Sequence, residues 1–70
     1  MMPLMFAEPG KENIIRRVGG NPEMRKHLED MGFVAGESVL VVSAIGGDLI
    51  VKVKDSRVAV SREMAGKIMI

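Results

Sequence analysis

The sequence predicts a mainly β fold: a small, partly open barrel of five or six short strands with one inserted α-helix. Three observations predict it. Runs of Val and Ile recur along the chain and are separated at short intervals by Gly or Pro, which is typical of short strands. Only residues 22–31 carry a helical pattern. Finally, 47% of the 70 residues are hydrophobic but only two are aromatic, and a sheet best encloses so thin an aliphatic core by closing on itself.

The first strand is predicted at residues 13–18, which contain Ile14, Ile15 and Val18. Pro9-Gly10 marks a turn before it, and Gly19-Gly20 ends it.

The helix is predicted at 22–31 because its start, its face and its end agree. Asn21 suits the N-cap, since its side chain can accept a hydrogen bond from the first turn, and Pro22 suits the first helical position. Gly32 supplies a left-handed stop. Three apolar residues recur at helical spacing on one face: Met24, Leu28 and Met31.

The second half of the chain alternates strands and turns. We predict further strands at residues 37–44, 49–54, 57–60 and 67–70. A loop at 45–48, a two-residue hairpin turn at Asp55-Ser56 and a helical turn at 62–65 capped by Ser61 connect them. Because a small open sheet leaves exposed edges, closure into a Src-homology-3-like (SH3-like) barrel is expected.

Composition excludes several classes of function. Lys and Arg total 10 against 9 for Asp and Glu, so the chain lacks the basic excess typical of nucleic-acid binders. The absence of Cys excludes disulfides, zinc fingers and thiol nucleophiles. No window is apolar enough for a membrane span, and no basic segment precedes the first apolar residues as in a signal peptide. We expect a single cytoplasmic domain over residues 1–70, with no nucleic-acid partner and no direct membrane insertion.

Patterns for catalysis and metal binding are weak. The chain has no Gly-x-Ser-x-Gly elbow, and its only histidine would have to serve any serine as base. We therefore predict no enzyme and no cofactor. Glu23 and His27 are four residues apart on the helix, and ferrous iron accepts carboxylate and imidazole. Because stable metal sites take more than two protein ligands, these residues are weak candidates and we predict no metal site.

The end of the helix is the predicted contact surface. A barrel this small is not expected to bury all of its apolar residues there, and exposed apolar residues rimmed by charges mark interaction sites. The predicted partner-binding residues are Arg25, His27, Met31, Phe33 and Val34. A competing site is the loop with Gly47 and Asp48, and self-association through the apolar patch is a third alternative.

The order of these features resembles the FeoA family, the small cytoplasmic component of bacterial ferrous iron transport. The resemblance spans nearly the whole chain, and its motifs are specific in combination rather than singly. Alanine at position 35 and leucine at position 49 replace prolines that are usual in the family. The matching positions are Pro9-Gly10, residues 14–20, Arg25, Leu28, residues 31–33, Ala35-Gly36, residues 39–42, Gly47-Asp48, residues 58–62 and Ala65.

The resemblance implies an SH3-like barrel, in agreement with the residue patterns, and an accessory role without catalysis. It also implies a partner: the membrane transporter FeoB, whose cytoplasmic part includes a G-protein domain. The same barrel resembles the C-terminal domain of metal-dependent transcription repressors. An alternative function is therefore that of a free-standing barrel that regulates a metal-responsive partner.

Overall fold

The computed structural model describes residues 1–70 and contains six strands and two α-helices, which confirms the mainly β prediction. A 3₁₀ turn at Leu4–Phe6 precedes them. In chain order the elements are β1 (Glu12–Ile14), β2 (Arg17–Val18), α1 (Pro22–Asp30), β3 (Ser38–Ile45), β4 (Asp48–Val53), β5 (Ser56–Val60), α2 (Arg62–Ala65) and β6 (Ile68–Met69).

The strands form two antiparallel sheets, one of four strands in the order β1-β3-β4-β5 and one formed by β2 and β6. The single strand predicted at 13–18 is wrong in this respect, because the chain changes sheets at Ile15. Ile15 exchanges backbone hydrogen bonds with Glu37 and Gly36, whereas the next amide, that of Arg16, donates to the carbonyl of Met69. The Ile15 side chain is buried in the core at this bend.

The long strand β3 contains a β-bulge at Val42. Val41 is paired with Val51, but Ser43 is already paired with Ile50, so Val42 has no direct partner. The extra residue reverses the side-chain alternation that follows. Without it the odd-numbered side chains would face inward to the end of the strand; with it, Ile45 faces outward.

Two-residue turns connect β3 to β4 and β4 to β5. The predicted loop at 45–48 is shorter than expected: Gly46 and Gly47 alone form the turn, both with positive φ, as a type I′ hairpin requires. The second turn is Lys54-Asp55 rather than the predicted Asp55-Ser56, because Val53 and Ser56 form the closing pair. Lys54 takes the left-handed conformation, with φ of 55°.

The helix α1 begins at Pro22 as predicted and ends at Asp30, one residue before the predicted end. The Asn21 Oδ1 atom accepts a hydrogen bond of 2.8 Å from the Met24 amide, and Pro22 occupies the first turn. At the other end the Gly32 amide donates to Glu29 and the Phe33 amide donates to Leu28, which together form a Schellman motif. The Ser61 cap of the short helix α2 is also present, since its Oγ accepts from the Met64 amide.

One cluster of buried side chains lies between the two sheets and α1. Every member is apolar, and all but one are aliphatic; the exception is Phe33. The three inward residues of β4 alternate with the outward residues Asp48, Ile50 and Lys52, as period-two patterning requires. The cluster comprises Leu4, Ile15, Val18, Leu28, Phe33, Val39, Val41, Leu49, Val51, Val53, Val60, Ala65, Ile68 and Ile70.

Candidate functional site

The predicted contact surface at the end of α1 is only partly present, because Phe33 is fully buried, with 0% of its surface exposed. Gly32, at a φ of 107°, turns the chain back so that Phe33 enters the core instead of the solvent. A 70-residue chain with two phenylalanines gains more from burying this large side chain than from exposing it. The placement of Phe33 on a contact surface is therefore wrong.

The other residues predicted on this surface remain accessible to different degrees. Arg25 and His27 are exposed, whereas Met31 and Val34 are half-buried. The apolar face of α1 points inward through the buried Leu28. The accessible part of this region is therefore largely polar.

Glu23 and His27 border an open depression of about 340 Å³ near the start of α1. Its other lining residues are Asn21, Met24 and Met64. No group of three His, Asp or Glu side chains is positioned to hold a metal ion anywhere in the protein. The two weak metal candidates therefore gain no third carboxylate or imidazole ligand from the fold.

The competing site, around Gly47 and Asp48, lies at the tip of the β3–β4 hairpin, and both residues are exposed. Ile45 closes this hairpin opposite Asp48, and 65% of its surface is exposed. The exposure of Ile45 follows from the bulge at Val42, which turns it outward. The tip therefore combines a large apolar side chain with a tight glycine turn.

Beside this tip is a cleft of about 230 Å³, formed where three segments meet. The 3₁₀ turn contributes Met5, the hairpin contributes Ala44, Gly47 and Leu49, and α2 contributes Arg62. Phe6, on the same 3₁₀ turn, is 63% exposed. A cleft lined by both apolar and polar groups, with one cation and with exposed hydrophobic residues on its contributing segments, has the character of a protein-interaction site. We call this cleft, with Phe6 and Ile45, the hairpin cleft.

The structure does not bring the two predicted sites together. Gly32 packs against Val53 at the C-terminal end of β4, whereas Asp48 begins the same strand. At about 3.3 Å per residue, the two ends of β4 are roughly 17 Å apart. The end of α1 and the hairpin cleft are thus separate surfaces.

Sequence reasoning missed six residues of the hairpin cleft: Met5, Phe6, Ala44, Ile45, Leu49 and Arg62. Gly46-Gly47 is a usable signal for a tight hairpin, and it would have placed Ile45 at the closing pair. Nothing in the sequence indicates the bulge that exposes Ile45, or the packing of the 3₁₀ turn near the hairpin.

A model of the FeoA domain family matches residues 2–70. The chain belongs to the FeoA family. This family member is 33% identical over its full length to a curated Fe(2+) transport protein A from Methanocaldococcus jannaschii, and the match covers 85% of that protein. The resemblance to FeoA is thereby confirmed, and with it membership of a family of ferrous iron transport proteins.

Solved FeoA structures share the fold of this family member. An iron uptake regulatory protein (FeoA) superposes with a TM-score of 0.88 at 28% identity, over 96% of this chain and 91% of that one. FeoA from Stenotrophomonas maltophilia, complexed with zinc and described as a prokaryotic SH3 domain protein, superposes with a TM-score of 0.84 at 27% identity, over 99% of this chain and 88% of that one. The SH3-like prediction is confirmed.

The repressor-like alternative finds support in the fold alone. A manganese-dependent transcriptional repressor superposes with a TM-score of 0.85 over 94% of this chain, but this region is 38% of that protein and only 17% of the residues are identical. Neither α1 nor α2 is long and apolar enough to cross a membrane.

Proposed function

We propose that the chain is a non-catalytic, cytoplasmic accessory protein of ferrous iron uptake that binds the cytoplasmic part of a FeoB-type transporter through the hairpin cleft. Membership of the FeoA family supports a role in ferrous iron uptake. The observation that supports this contact surface is the outward position of Ile45 beside a cleft lined by Met5, Leu49 and Arg62.

The energetics favour the hairpin cleft over the end of α1. Phe6 and Ile45 each expose more than half of their surface to solvent. Covering a large apolar side chain contributes about 1.5–3 kcal/mol, so these two residues could supply a substantial part of a binding free energy. At the end of α1, Phe33 is already buried in the core, and Met31 and Val34 are half-buried, so less apolar surface is left there for a partner to cover.

The first test is a titration of isotope-labelled protein with the soluble cytoplasmic domain of the transporter, followed by NMR. The expected result is a set of shifts centred on Met5, Phe6, Ala44, Ile45 and Gly47. Repeating the titration with ferrous iron alone tests the pair Glu23 and His27 separately. Absence of any shift with the domain would contradict the proposed function.

Two variants locate the contact. Ile45→Asp places a charge on the hairpin cleft and should weaken binding by about tenfold or more, equivalent to about 1.4 kcal/mol. Ile14→Asp is the matched control, because Ile14 is also an exposed strand isoleucine, 51% exposed, but lies on β1 away from the cleft. We expect the control to bind like the wild type.

The outcomes separate the alternatives. If Ile45→Asp binds normally and Arg25→Glu does not, the contact is on α1 and the hairpin assignment is wrong. If sedimentation of the wild type shows a concentration-dependent dimer that Ile45→Asp abolishes, the cleft serves self-association. Circular dichroism of each variant must match the wild type for these results to count.

A further inference from the structure

The strand β5 forms an outer edge of the four-stranded sheet. Because a two-residue turn closes the β4–β5 hairpin at Val53 and Ser56, that pair is hydrogen-bonded and the pairing then alternates. Arg57 and Ala59 therefore occupy the non-hydrogen-bonded positions. Their N–H and C=O groups point away from β4, and no other backbone group of the protein bonds to them.

This edge has few of the features that usually protect an edge strand. Such strands commonly carry proline, a bulge or inward charges that prevent pairing with another chain. The β4–β5 register is continuous over all five pairs, and β5 contains no proline. Arg57 and Ala59 are both exposed. The edge is therefore open to an added strand.

The edge is also basic. Lys52 lies directly opposite Arg57 on the outer face of the sheet, and like charges in that position destabilise the pairing. Lys54 follows in the adjoining turn. The only ion pair of the protein is Lys26–Asp30 on α1, so neither Lys52 nor Arg57 has an acidic group within 4 Å. Three carboxylates, those of Glu12, Glu37 and Asp55, border the same depression as Lys52, but none lies within 4 Å of its ammonium group, and Arg57 lies outside this depression.

We propose that the free edge of β5 binds an extended, acidic segment of a partner protein by strand addition. Main-chain hydrogen bonds to Arg57 and Ala59 would supply the register, and carboxylates of the segment would neutralise Lys52 and Arg57. The edge leads through Val60 to Arg62 in the hairpin cleft, so one partner can cover both. The inference rests on the proposed function in one respect: it takes the acidic segment to be part of the transporter's cytoplasmic domain.

Amide hydrogen exchange in the complex with that domain gives the sharpest readout. Strand addition should slow exchange at Arg57 and Ala59, whereas the amides of Ser56, Val58 and Val60, already directed toward β4, should change little. This alternation distinguishes an added strand from general coverage. Uniform protection or none along β5 would overturn the inference.

Substitutions test the backbone and the charge separately. Ala59→Pro removes an outward amide without removing a bond to β4, and edge strands tolerate proline at such positions. It should weaken binding about three- to tenfold, and Ala59→Val, which keeps the amide, should not. Arg57→Glu should weaken binding about tenfold or more, whereas Arg16→Glu, an equal charge change on an exposed residue outside this sheet, should not.

A peptide separates this inference from the proposed function. The probe is a synthetic six-residue peptide that alternates glutamate with valine, and its control carries lysine in place of glutamate. NMR shifts at Arg57 and Ala59 with the acidic peptide alone, diminished by added salt, would support the inference even if the transporter domain failed to bind. If the domain binds but all edge variants behave as wild type, the inference fails and the proposed function stands. If neither the domain nor the acidic peptide shifts these residues, the inference is overturned.

Discussion

Near one end of strand β4 a large apolar side chain is buried in the core, and near the other end a large apolar side chain is exposed to solvent. At the C-terminal end, the left-handed Gly32 packs on Val53 and directs Phe33 into the core. At the N-terminal end, the bulge at Val42 directs Ile45 out to solvent. The comparison teaches that backbone geometry, rather than hydrophobicity, decides which apolar residues stabilise the fold and which are available to a partner.

The largest expected effect comes from the two phenylalanines. Phe33→Ala should lower the free energy of unfolding by about 3–5 kcal/mol, because it removes the largest buried side chain and leaves a cavity. Phe6→Ala, the matched control at an exposed site, should cost less than about 0.5 kcal/mol. Urea denaturation measures both values. If Phe33→Ala does not fold, Phe33→Leu provides a smaller cavity at the same site. Equal losses of unfolding free energy at positions 33 and 6 would contradict the contrast between a buried and an exposed phenylalanine.

The two glycine turns should respond alike in stability but differently in binding. Gly32→Ala and Gly47→Ala each force a side chain into a left-handed conformation, with φ of 107° and 94°, and each should cost about 1–2 kcal/mol. Thermal denaturation checks the stability of each variant. Only Gly47→Ala should also weaken binding of the transporter domain, because only Gly47 lines the hairpin cleft. An effect of Gly32→Ala alone would place the contact at α1.

Loss of the α1 cap should have a smaller effect. Asn21→Ala removes the acceptor of the Met24 amide and should destabilise the protein by about 1 kcal/mol. Asn21→Ser should restore most of that loss, since serine also accepts this bond. Denaturant midpoints measure both variants. A neutral Asn21→Ala would mean that packing of Leu28, and not the cap, holds the start of α1.

The smallest effect is expected from the exposed pair Lys26–Asp30, whose Nζ and Oδ2 atoms are 3.4 Å apart. Lys26→Ala should change the free energy of unfolding by less than about 0.5 kcal/mol, because both side chains are solvated. The difference should disappear in about 1 M salt, where the Debye length is near 3 Å. A larger or salt-resistant effect would indicate that the Lys26 stem packs on α1.

Much of the local structure could be predicted from short segments. The ends of α1, the Ser61 cap of α2 and the alternation in β4 depend on hydrogen bonds or side-chain directions within about six residues, so the residues that cause them are adjacent in the chain. Membership of the FeoA family could be predicted as well, because the resemblance depends on the order of such local features along the chain.

Two of the predictions that failed, for the strand at 13–18 and for Phe33, depend on contacts between distant segments. The errors at 45–48 and at Asp55-Ser56 concern the local register of two hairpin turns. Ile15 joins the two sheets because the carbonyls of Glu37 and Met69 accept from the consecutive amides of Ile15 and Arg16. The bulge at Val42 arises where β3 must pair with β4 while closing the barrel. Phe33 is buried and Phe6 is exposed although each lies at or just after the end of a helical segment, because only the folded chain determines which of them meets the core. Such choices are made by packing across the sheets, and no local pattern of residues specifies them.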